Sequence, residues 1–248
     1  MSVDLSAPAR EFLIGSSLHV VTVTICVAAV VGACVLGRQW RDAAPRREFR
    51  LRVGWIISLF ILQTLTLGYY LWPATFDKRI GLPFHVCDLA VWFAPFALLG
   101  AWRWPKSMLY FWGIGLTIAA FIQPAVKEGV AHPAFWMFWI QHTQITGSAV
   151  YLVAVLGYRP TARDLIVALA TTAVYVAVII PVNIVLEVNY GYVGALESPV
   201  SFVGPWPWRV GVLYGGAILV FSALWAPFAI ASLRSRSVHP RHHSGPPV

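Results

Sequence analysis

Apolar residues run along this chain in seven stretches, separated by short, Arg-rich polar segments. The stretches fall near residues 17–37, 52–72, 82–102, 107–125, 133–156, 163–187 and 207–233. A spanning helix needs roughly 20 mostly apolar residues. The pattern therefore predicts an all-α polytopic membrane protein with seven transmembrane helices. Little chain is left between the runs. The expected organisation is one seven-helix membrane domain over 1–233, followed by a disordered basic tail over 234–248 that is rich in Pro, His and Arg.

Polar residues interrupt these runs unevenly. His19, Gln63, His85, Asp88, Gln123, His142, Gln144, Asn183 and Glu187 all fall toward the same end of their spans. Asn189 and Tyr190 follow span 6 at that end, and Arg209 opens span 7 there. A polar side chain in hydrocarbon is costly and marks a function or a partner. Six spans contribute at a similar depth, which predicts a single cavity. Interhelical hydrogen bonding by Gln and Asn is the plain alternative for any one of these residues.

Composition narrows the class. The 248 residues are 58% hydrophobic and 11% charged, with mean hydropathy +0.70; a soluble domain carries about 25% charged residues. The net charge of +8 raises nucleic acid as a partner, but its distribution argues against one. Thirteen Lys and Arg fall in the 38–52, 103–106 and 159–163 loops and the C-terminal tail, against five on the other side. Basic loops stay cytoplasmic, so the N-terminus is expected outside and the C-terminus inside. The polar end then faces outward. The first run is too long, and its basic flank is on the wrong side, for a signal peptide. Cys26, Cys34 and Cys87 all lie within spans, so no disulfide framework is expected.

The densest chemistry lies in Leu82-Pro83-Phe84-His85-Val86-Cys87-Asp88. Pro83 suits a first helical turn. His85 and Asp88 are three apart and share a face. An unpaired carboxylate at this depth costs ~3 kcal/mol, so Asp88 needs a partner; His85, His142 or Arg209 are the choices. Cys87 is turned about 100° from Asp88 in a regular helix. On its residues alone it reads as a small buried hydrophobe, as a nucleophile, or as part of a zinc-type site with His85, Asp88 and His142. The alternating directions of residues 85 and 87 make the metal spacing poor, and no metal or cofactor is expected. A nucleophilic thiol needs a base. His142, from another helix at similar depth, is the best placed, with Asp88 or Glu187 to orient it. His85 or Gln123 would donate to the oxyanion. Gln63, Gln123, Asn183, Glu187, Asn189, Tyr190 and Arg209 are the expected substrate-binding groups.

These strings resemble the YwaF-type integral membrane proteins of bacteria, a heptahelical family. The matching elements are Leu82 to Asp88, Tyr110-Phe111-Trp112-Gly113, the lone His142, Asn189-Tyr190, and Gly204-Pro205-Trp206-Pro207-Trp208, in order over roughly residues 80–210. After His142 the chain differs from the usual pattern, with Thr143 and Gln144 in place of a small-plus-apolar pair. The resemblance implies a bacterial cytoplasmic membrane protein linked to eukaryotic transmembrane lipid acyltransferases with a Cys at the Cys87 position. More distantly, it implies kinship with heptahelical fatty-acid-ester hydrolases. Carried over, Cys87 is the nucleophile and His142 its base, and the partner is a membrane lipid or other acyl ester. The residues themselves leave open a non-enzymatic transporter or receptor that binds a small polar ligand. They also leave open an assembly role in which Asp88 pairs with Arg209.

The charge bias makes topology testable. A reporter fused after Val248 is expected in the cytoplasm and one inserted in loop 73–81 outside. A C-terminal fusion active only outside the cytoplasm would reverse the orientation and move the polar end to the inner leaflet.

Overall fold

The computed structural model describes residues 11–238, except 101 and 198. Among them the fold is all-helical, with seven rods. They are α1 (Ser17–Ala43), α2 (Pro45–Leu71), α3 (Val86–Leu98), α4 (Arg103–Ile122, including a π turn), α5 (Pro133–Ala154), α6 (Ala162–Leu186) and α7 (Trp208–Val238). α1, α2, α4, α6 and α7 are long and apolar enough to cross a membrane. The outer surface of the bundle is correspondingly apolar: Ile25, Val31, Ile61, Ile166, Val178 and Leu219 are all exposed. Patches of this kind on a soluble monomer would drive association; here they face lipid. The protein is a multi-pass integral membrane protein.

Several rods differ from the expected spans. α1 and α2 run past the basic boundary and nearly meet at Ala44. Arg38 and Arg41 at the end of α1 hydrogen-bond the Ala154 and Val155 carbonyls. Those carbonyls end α5 and have no partner within that helix. α7 continues to Val238, into the segment expected as tail. Residues 239–248 of that expected tail lie outside the described residues.

α5 is the central rod, packed against α1, α2, α3 and α4. Most of its side chains are buried, so its polar residues have protein partners. Gln144 donates to Ser58 Oγ (2.9 Å), Ser148 accepts from Trp55 Nε1 (3.0 Å), and Tyr151 donates to buried Glu48 (2.9 Å). These bonds hold α2 to α5. In α4 the backbone passes through the π turn Phe111–Leu116, with Thr117 N–H donating to Trp112 O at 2.8 Å. π turns concentrate at functional sites. α5 joins this one through Thr146, whose hydroxyl donates to Gly113 O (3.0 Å).

The third span departs most from expectation. α3 has 13 residues, roughly 20 Å of helix against ~30 Å of hydrocarbon. Residues 82–85, expected as helix, are non-helical, and His85 is an extended N-cap with φ −69° and ψ 155°. Non-helical backbone at membrane depth survives only where protein satisfies its polar groups. Tyr190 Oη accepts from Leu82 N–H (3.0 Å) and donates to Lys78 O (2.7 Å). Tyr175 Oη donates to Phe84 O (2.8 Å). Asp88 Oδ2 accepts from His85 N–H (3.0 Å), the reach-back half of a capping box.

Tyr190→Phe is therefore expected to lower the thermal unfolding midpoint of the detergent-solubilised protein. It orphans two backbone groups, each worth about 1–3 kcal/mol when left unpaired in the interior. A midpoint equal to that of the parent chain would mean that water reaches this segment.

Candidate functional site

A cavity of about 700 Å³ occupies the end of the bundle where α3, α5 and α7 begin and α2 and α4 end. Its wall includes Gln63, Thr66, His85, Cys87, Asp88, Gln123, Gln141, His142, Tyr175 and Tyr192. The apolar part of the wall comes from the end of the π turn and the α4 turn after it (Leu116, Ala119, Ala120), from Met137 and Phe138, and from Val210, Leu213 and Ala217 of α7. The cavity thus has a polar floor beside an apolar slot, which suits an amphiphile.

The floor is built by the start of α3. His85 caps the helix, so Cys87 and Asp88 lie in its first turn, where the chain has only just become helical. This removes the conflict between the directions of residues 85, 87 and 88: all three line the cavity. The pairing expected from a shared helical face is instead a cap contact, between the His85 backbone N–H and the Asp88 carboxylate. Asp88 Oδ1 accepts from Gln141 Nε2 at 3.4 Å and from the Cys87 thiol at 4.0 Å. A carboxylate at a helix N-terminus is also favoured by the helix dipole.

His142 lines the same cavity from α5. Its Nδ1 lies 2.7 Å from Phe138 O. A carbonyl only accepts, so Nδ1 carries the proton and Nε2 is the basic nitrogen. No Cys87–His142 hydrogen bond is present among the described residues. The group that orients His142 is a carbonyl of its own helix, rather than Asp88 or Glu187 as expected. His85 has the opposite tautomer. Its Nδ1 accepts from Gly191 N–H at 3.4 Å, which makes Nε2–H a donor.

Four expected binding residues do other work. Arg209 is buried, but its guanidinium donates to Gly194 O, Leu196 O and Ser201 Oγ. It holds the α6–α7 loop and does not meet Asp88. Asn183 brackets the Tyr190 backbone, accepting from its N–H (2.7 Å) and donating to its carbonyl (2.9 Å). Asn189 bonds Gly194 N–H and Leu196 O within the same loop. Glu187 ends α6 in a left-handed conformation and reaches Lys78 at 3.8 Å, with an exposed side chain. None of these four lines the cavity, and neither does Tyr190, whose hydroxyl serves the lead-in to α3. Gln63 and Gln123 do line it. Gln63 Oε1 is buried without a partner among the described residues, and Gln123 Nε2 donates to Pro199 O (3.2 Å).

Sequence reasoning missed Gln141, Tyr175 and Tyr192. Gln141 was open to inference, because it flanks His142 inside an apolar span. The tyrosines carried no signal, since Tyr near a membrane boundary is ordinary. Among the described residues no group of three or more His, Cys, Asp or Glu could hold a metal ion.

No curated protein matches this chain, and no solved structure matches it. A family model does, over residues 13–226, from before α1 to beyond the midpoint of α7. That stretch contains the first six rods, the first part of α7 and the whole cavity wall, and on this match the chain belongs to the TMEM164 family.

Proposed function

We propose that this protein is a lipid acyltransferase or ester hydrolase that works inside the membrane through a thioester on Cys87. One observation carries the reading: Cys87, Asp88 and His142, from two different helices, line a single cavity that is polar at its floor and apolar along one wall. A phospholipid ester placed there would lay its acyl chain along Leu116, Ala120 and Ala217 and its carbonyl over the start of α3. The likeness of residues 82–88 to YwaF-type proteins, and through them to transmembrane lipid acyltransferases, supports the same assignment.

In this reading the thiol proton passes to His142 Nε2, the unprotonated nitrogen. The sulfur attacks the acyl carbon, and His85 Nε2–H donates to the oxygen. Asp88 holds the helix start and, through Gln141, the adjoining turn of α5. An alcohol then accepts the acyl group, or water hydrolyses it. No cofactor enters the scheme. With the basic loops inside, the cavity opens toward the outer leaflet.

The lack of a direct thiol–imidazole hydrogen bond favours a second reading, in which the cavity binds a polar ligand without chemistry. A thiol-directed acyl probe separates the two. Labelling is expected in the parent protein, lost in Cys87→Ala, and slowed about a hundredfold in His142→Ala, the usual scale of a general base. Circular dichroism would verify that both variants stay folded. Labelling at Cys87 that is indifferent to His142 would sink the Cys–His assignment and leave the binding reading.

A further inference from the structure

When a thiolate adds to an ester, the carbonyl oxygen becomes negative and needs hydrogen-bond donors already in place. His85 Nε2–H supplies one. Of the remaining polar groups around the floor, several are committed. Gln123 Nε2 donates to Pro199 O, Tyr175 Oη to Phe84 O, and Gln141 Nε2 to Asp88. Gln63, Thr66 and Thr117 also line the cavity with a polar atom that has no partner among the described residues, and what sets Tyr192 apart is its place beside His85. It lines the cavity, and its hydroxyl has no hydrogen-bond partner among the described residues. Its ring lies against the His85 ring, with centroids 5.5 Å apart.

The backbone at Tyr192 is also unusual. Its φ of 62° is left-handed and follows Gly191, itself at 64°. A bulky residue in that region is strained and persists where the surroundings impose it. Two bonds impose it here: Tyr192 N–H to Asn189 O (3.3 Å) and Gly191 N–H to His85 Nδ1 (3.4 Å). The second ties the loop directly to the residue that caps α3. Burial first, then the neighbouring Cys87 and Asp88, push the Tyr192 phenol up to about 12. It therefore keeps its proton at neutral pH and acts as a donor.

We infer that Tyr192 is a second oxyanion donor, paired with His85 over Cys87; the assignment rests on the acyl-transfer reading. The Cys87 sulfur forms a C–S bond to the acyl carbon, and the carbonyl π pair moves onto oxygen. There it is held by Tyr192 Oη–H and His85 Nε2–H, with no proton transferred. On collapse the pair returns, the ester C–O bond breaks, and the proton taken from the thiol by His142 goes to the departing alkoxide. Thiol and ester give thioester and alcohol.

The test uses the full chain in lipid nanodiscs and Tyr192→Phe, which keeps the ring. Two reagents are followed by mass spectrometry of the Cys87 peptide. p-Nitrophenyl butyrate acylates the thiol through an oxyanion; iodoacetamide alkylates it by displacement at a saturated carbon, without one. Tyr192→Phe is expected to slow acylation about a hundredfold, the scale for losing one oxyanion donor, and to leave alkylation unchanged. Equal slowing of both reactions would show a packing role and overturn the assignment, as would acylation at the parental rate. A parent protein that forms no thioester at Cys87 would remove the acyl-transfer reading itself, and this inference with it.

Discussion

Backbone amides and carbonyls that leave a helix inside hydrocarbon must find protein partners, and this fold is arranged around that constraint at residues 82–85. Each unpaired group there would cost about 1–3 kcal/mol. Two partners, Tyr190 and Tyr175, are side chains brought from far along the chain, and the third, Asp88, comes from the first turn of the helix itself. Tyr190 must itself be held, and Asn183 does this with both ends of its amide. The loop that carries Tyr190 is fixed in turn by Arg209, buried among carbonyls. A polar network that would otherwise look like a binding site is the support for a broken helix. Its product is a helix start, with a thiol and a carboxylate, held at the floor of a cavity.

This explains which parts of the molecule could be read from its residues. The seven rods were legible because hydropathy acts over whole spans and is averaged over many side chains. The clustering at one end was legible too, because residue counting along a helix gives depth directly. Counting gives no reliable azimuth when the helix start is unknown. Asn183, Asn189 and Arg209 lie at the expected end but serve the α6–α7 loop instead of the cavity, and Glu187 turns outward to Lys78. The geometry of Cys87 was misjudged for the same reason. His85, expected in the first turn, is the cap, so the 100° separation between Cys87 and Asp88 acts where the helix is only beginning. The π turn at 111–116 left no trace in the sequence, since Phe-Trp-Gly-Ile-Gly-Leu is equally compatible with a regular α-helix.

The two ends of the bundle solve the problem of buried polarity differently. At the opposite end, Glu48 is paired with Arg52 at 3.1 Å and accepts a hydrogen bond from the Tyr151 hydroxyl. Arg103 pairs with Asp164 at 2.6 Å, and Asp164 also caps α6. Charges there are matched and consumed. At the cavity end Asp88 has amides and a thiol around it but no cation within ion-pair distance among the described residues. Two histidines of opposite tautomer face the same space. One end is electrostatically finished; the other retains a base, a donor and a thiol.

The polar residues of α5 have a consequence for how the protein is made. With Gln141, His142, Thr143 and Gln144 in succession at its middle, this rod falls outside the set apolar enough to cross a membrane on their own composition. Charged and strongly polar side chains weigh against partition from the translocon into lipid. The helices that cover these side chains, α1 to α4, all precede α5 in the chain and are therefore synthesised first. Integration of α5 is thus coupled to docking against partners already in place. The cavity-lining face of α5 would be created in the same event that commits the fifth segment to the bilayer, so a chain that fails to assemble its first four helices would also fail to complete its topology.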